Sequence, residues 1–146
     1  MKNILYILLT LTIFTACGNV ENEIKQKRDS IMTLHDQLME RGEIIVRNKL
    51  KLDTLQNNLS IFAGSMPGLD TAATKQELQV ISRRLQMADN EMSDWMAAFD
   101  PVQEGKSDQE KKKYLDAEQE KLYRLNSMFD TALSQSNDYL QKFKKK

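Results

Sequence analysis

The side chains of this chain best suited to chemistry are soft donors. After Cys17 it carries Met32, Met39, Met66, Met87, Met92, Met96 and Met128, together with its sole histidine, His35, and its sole tryptophan, Trp95. Met32, His35 and Met39 stand at i, i+3 and i+7, a spacing that puts all three on one face of a helix. Met92, Trp95 and Met96 make a similar face further along. If the intervening turn is centred near residue 66, antiparallel pairing sets residue n opposite roughly 132 − n. His35 then falls opposite about residue 97 and Met39 opposite about residue 93. Thioether sulfur and imidazole are ligands that select copper(I). His35, Met39, Met92 and Met96 are therefore the candidate metal ligands, with Trp95 as a candidate cation–π neighbour. The competing reading is that these methionines fill irregular gaps in a core and pack against the indole edge.

Other chemistries have less to stand on. The sequence holds no Gly-rich phosphate loop and no metalloprotease or phosphoryl-transfer motif. Its carboxylates alternate with lysines along helical faces, as a solvated surface does. We therefore expect no enzyme. With 21 basic and 21 acidic residues the chain is formally neutral, which removes the electrostatic case for nucleic acid.

Cys17 is the only cysteine, so an internal disulfide is excluded. It follows a short positive start, Met1-Lys2-Asn3, and an apolar run from Ile4 to Phe14 broken only by Thr10 and Thr12. That run is too short to cross about 30 Å of hydrocarbon but suits a signal-peptide core. Phe14-Thr15-Ala16-Cys17 resembles the bacterial lipobox, in which a small residue precedes a cysteine. The lipobox prefers Leu at its first position, where this chain has Phe14. The resemblance implies cleavage before Cys17 and a diacylglycerol on its sulfur. Two acyl chains at about 0.8 kcal/mol per buried methylene hold a protein stably on a membrane.

The elements that must position these residues are written in heptads. Ile24, Ile31, Leu38, Ile45, Leu52 and Leu59 recur every seven residues, interleaved with Val20, Lys27, Leu34, Arg41, Asn48, Leu55 and Phe62. One helix is expected over about 20–62, roughly 60 Å long. Lys27, Arg41 and Asn48 imply either a partly exposed seam or polar residues that set register. Gly42 inside this helix costs about 1 kcal/mol relative to Ala, and either admits a close neighbour or is simply tolerated. Gly64-Ser65-Met66-Pro67-Gly68 reads as a turn. Asp70 or Thr71 can cap a second helix over about 71–99, with Thr74 to Glu77 as an alternative capping box. Its seam is Leu78, Ile81, Leu85, Ala88, Met92, Trp95 and Phe99, and Asp100-Pro101 ends it.

Ser107 to Glu110 is a capping box for a third helix over about 108–143, whose seam includes Leu115, Leu122, Leu125 and Phe129. It closes in Lys144-Lys145-Lys146, complementing the helix C-terminus. No stretch alternates as a strand does. The expected fold is all-α: three long antiparallel helices, as a bundle or elongated coiled coil, after a cleaved signal peptide. The expected organisation is 1–16 signal peptide, 17–19 lipidated cysteine and short tether, and 20–146 helical domain.

His35-Asp36-x-x-Met39 and Ala88-Asp89-x-x-Met92-x-x-Trp95-Met96-x-x-Phe99 also resemble a group of small helical bacterial lipoproteins labelled "viral A-type inclusion protein". That label reflects coiled-coil similarity and implies no viral role or activity. Members often carry a further methionine after the first motif, where this chain has Arg41-Gly42. Together these features lead us to expect a lipid-anchored protein of the cell envelope. Its helix faces would bind or space other components, through self-association or an envelope protein partner, and a periplasmic copper(I)-binding protein is the alternative.

Overall fold

The structure, a computed structural model, describes residues 14–143, with side chains from Asn19 onward. The apolar run at 4–13, the side chain of Cys17 and the terminal Lys144-Lys145-Lys146 lie outside the described residues. Every regular element among those described is helical: α1 Phe14–Asn57, α2 Leu59–Ser65, α3 Thr71–Ala98 and α4 Asp108–Lys142. The fold is all-α.

Two boundaries differ from expectation. The backbone at 17–19, expected as a tether, is already helical because α1 begins at Phe14. Nothing in Phe14-Thr15-Ala16 breaks a helix, so the backbone runs helically through Cys17. The long first helix is also interrupted at Asn58, which separates α1 from α2. The Asn58 side-chain amide donates to the Thr54 carbonyl at 2.8 Å, and Ile61 N–H bonds the Asn58 carbonyl only three residues back at 3.0 Å. Asn competes for local backbone in this way, which is why it is a weak helix former.

The chain divides into two compact units. The first comprises residues up to 35 and 99–122. In it the α1 and α4 segments run in the same direction: Glu23 pairs with Lys112, Lys27 with Asp116, and the Gln119 amide donates to Ser30 Oγ, each 89 residues apart. Ile24, Ile31, Leu115 and Leu122 are buried between them. The capping box forms as expected. Glu110 accepts from the Ser107 backbone N–H at 2.8 Å and from its hydroxyl at 2.7 Å, and the hydroxyl bonds hold its carboxyl below the usual carboxylate range. Asp100 accepts the N–H groups of Val102 and Gln103, which lower its pKa too.

The second unit comprises residues 36–98 and those from 123. Leu38, Ile45, Leu52 and Leu59 are buried in it, as are Leu78, Leu85 and Ala88 of α3 and Phe129, Ala132 and Ser136 of α4. Here too α1 and α4 are parallel, with Arg41 on Asp130 and Asn48 on Asn137. α3 runs the other way, since Arg84 bonds Gln135 while the earlier Thr74 meets the later Tyr139. Asp70 Oδ1 caps α3, accepting from Ala72 and Ala73 N–H at 3.0 Å, and the alternative at Thr74 lies buried inside the helix. The turn before it closes by a Leu69 N–H to Met66 carbonyl bond of 3.1 Å. Pro67 presets its first central position and Gly68 supplies the positive φ of 89° at its second. A Cβ added at Gly42 would meet nothing within 4 Å, so that glycine admits no close neighbour.

The seam's polar residues are partnered rather than vacant. Asn48 is buried, and its amide donates to Ser136 Oγ at 2.9 Å and Asn137 Oδ1 at 2.8 Å. Arg41 bonds Asn126 and Asp130 and lies over the Phe129 ring at 5.8 Å. A buried polar pair inside an apolar seam costs stability but allows only one alignment of the helices. Asn48→Ala should lower unfolding free energy by about 1–3 kcal/mol, as a buried bonded group is lost. The pair Asn48→Leu with Ser136→Ala should recover it. Urea denaturation checks both, and a double variant weaker than Asn48→Ala would contradict the assignment.

Candidate functional site

Burial separates the candidate ligands into two kinds. Met92 and Trp95 occupy core positions of α3, 4% and 7% exposed, and pack as seam residues. Met39 and Met96 lie on the flanks of α1 and α3, 43% and 40% exposed. These four belong to the second unit, whereas the half-buried His35 belongs to the first. Among the described residues no group of three or more His, Cys, Asp or Glu side chains is placed to hold a metal ion.

The pairing of α1 with α3 is offset from the arithmetic based on residue 66. Ser82 donates to Asp53 at 3.4 Å, so residue n stands level with about 135 − n. The shift arises because the chain reverses through α2 and the Pro67-Gly68 turn rather than at one residue. Two heptads before Asp53 is Met39, and two heptads after Ser82 is Met96. In an antiparallel pair equal and opposite heptad steps keep register, so Met39 stands level with Met96 rather than with residue 93.

The same unit carries an apolar groove of about 410 Å³ between α1 and the end of α4. Leu55, Leu140 and Phe143 line it, Leu50 stands beside it 62% exposed, and Arg47 and Lys51 edge it with positive charge. Sequence reasoning missed this feature. Its signal was Leu50, a large apolar residue at a position the heptad assigns to solvent.

Beside the groove Phe143 packs on Tyr139 at 5.4 Å and edge-on to Phe62 at 6.2 Å, while Lys142 sits over the Tyr139 ring at 5.0 Å. The buried Tyr139 hydroxyl donates to the Thr74 carbonyl at 3.4 Å. Burial, and then the negative charge of Glu77, push this phenol up to about 12.

No protein-family model, curated protein or solved structure matches the chain. Among the described residues no helix is long and apolar enough to cross a membrane.

Because the folded Tyr139 holds its proton more tightly than an unfolded tyrosine near 10, its contribution is complete below pH 10 and is lost as pH rises towards 12. Tyr139→Phe should flatten that fall. Denaturant midpoints between pH 9 and 12 measure it, and equal slopes in the two proteins would contradict the burial of this group.

Proposed function

We propose that the chain is the precursor of a bacterial lipoprotein, cut before Cys17 and held on a membrane of the cell envelope by lipid on that cysteine. Its helical domain acts as a non-enzymatic binding or spacing module. The observation that carries this is the position of the sole cysteine, directly after small residues at the end of an eleven-residue apolar run. The two methionine motifs, which resemble the group labelled "viral A-type inclusion protein", agree with it. The architecture proposed for the mature chain is an antiparallel bundle of three long helices, with α2 as a short continuation of the first. The anchor is the direct test. Expressed in a bacterium fed alkyne-palmitate, the chain should take up label and enter the detergent phase, and Cys17→Ser should abolish both. Label retained in Cys17→Ser would overturn the anchor.

For the binding surface, the seam at Lys27, Arg41 and Asn48 is replaced by the groove beside Leu50. The occupant we propose is an amphipathic helix with acidic flanks from another envelope protein. An apolar groove receives the helix's apolar stripe, and Arg47 and Lys51 complement acidic residues beside that stripe. A second copy of this chain fits less well, because a two-fold contact centred there would bring Arg47 and Lys51 onto themselves. A fluorescent 21-residue peptide with leucine at its core heptad positions and glutamate beside them is the probe. Binding to the full chain should weaken at least ten-fold in Arg47→Glu/Lys51→Glu and in Leu50→Asp. Equal affinity for a lysine-flanked peptide, or a concentration-dependent dimer abolished by Leu50→Asp, would overturn the assignment.

A further inference from the structure

We propose that Met39 and Met96 form a thioether site for a soft monovalent cation, copper(I) or silver(I), on the flank between α1 and α3. It goes beyond the anchoring and docking reading and depends on neither.

Three observations in the second unit converge on this pair. The first is register. The Asp53–Ser82 hydrogen bond ties a flank position of α1 to a flank position of α3, and Met39 and Met96 are the equivalent positions two heptads on. Helices packed with axes about 8–10 Å apart bring flexible side chains at such positions within reach of one ion. The second is exposure. A methionine that fills a gap is buried, as Met92 is at 4%, whereas Met39 and Met96 keep about two-fifths of their surface in solvent. Packing therefore leaves these two side chains uncovered, where a ligand can reach them.

The third observation is charge. From Gln86 to Ala98, α3 carries Asp89, Glu91 and Asp94 and neither lysine nor arginine. On α1, Met39 is flanked in sequence by Asp36, Glu40 and Glu43, while the one cation among them, Arg41, is turned to Asp130. A neutral thioether pair in an acidic field draws a cation, and the softness of sulfur selects which cation stays. The groove at Arg47 and Lys51 has the opposite sign, so one unit offers two surfaces of different chemistry. The ion is held by two sulfurs, with water or a small ligand completing its coordination.

Silver(I), which is stable in air, is the probe, titrated as nitrate in chloride-free buffer. The protein is the full chain carrying Cys17→Ser, which removes a competing thiol, with its methionine methyl groups labelled for NMR. One equivalent should shift the methyl signals of Met39 and Met96 and leave those of Met32, Met66, Met87 and Met128 in place. Met39→Leu and Met96→Leu, which preserve volume and fold, should each weaken binding at least ten-fold. Met92→Leu should change it less than two-fold. Absence of saturable binding, binding that survives Met39→Leu/Met96→Leu, or a loss at Met92→Leu as large as at Met39→Leu would each overturn the two-sulfur site.

Discussion

The arrangement of the second unit depends on how α1 is held against α4. An apolar seam repeating every seven residues specifies burial but not alignment, because sliding one helix by a heptad re-buries similar side chains. Asn48 removes that freedom. Its amide has partners only when Ser136 and Asn137 lie beside it, and a slipped register would leave it buried without a bond, at about 1–3 kcal/mol. Arg41 repeats the constraint one heptad earlier, through Asn126 and Asp130. With α1 and α4 aligned, the groove beside Leu50 becomes a fixed feature of the surface.

The first unit joins α1 to α4 through ion pairs and the Gln119 amide on Ser30, without the buried amide that Asn48 supplies in the second. Glu23–Lys112 and Lys27–Asp116 join half-exposed or exposed side chains, and pairs of that kind contribute about 0–1 kcal/mol each. They cannot hold α1 against α4 alone. Burial of Ile24, Ile31, Leu115 and Leu122 supplies the larger share, at about 1.5–3 kcal/mol for each fully buried aliphatic side chain. Glu118 is a departure from this economy of exposed charges: it occupies a buried seam position, with one oxygen bonded to Lys121 at 2.7 Å and the other without a hydrogen bond among the described residues.

Much of this was legible in the sequence, for reasons that differ by residue. The heptad positions Ile24 to Leu59 announce burial because hydrophobic periodicity is written directly in residue type. The Ser107–Glu110 capping box and the Pro67-Gly68 turn are equally local. The break at Asn58 was less visible. It turns on a single side chain competing for the Thr54 carbonyl, and Asn occurs often enough in helices that its presence alone decides nothing. The fate of Asn48 was not legible from α1. It depends on Ser136, eighty-eight residues later, although a serine in the seam of Leu115, Leu122 and Phe129 is a readable sign that one polar residue waits for another.

The methionines show where periodicity stops being informative. Met92 and Met96 stand four residues apart on one helix, the same residue type, yet one is core and the other surface. The seam assigns Met92 its place, whereas Met96 takes its meaning from α1, through a register known only once Asp53 and Ser82 are seen to meet. An error of three residues in that register, the difference between 132 and 135, is almost a full helical turn and shifts a helical position to another part of the surface. It exchanges residue 93 for residue 96 opposite Met39, a serine for a methionine. Sequence can therefore nominate soft ligands, but whether two of them share a level is decided by the loop that sets the pairing. Here that loop is α2 with its proline turn, far along the chain from either sulfur.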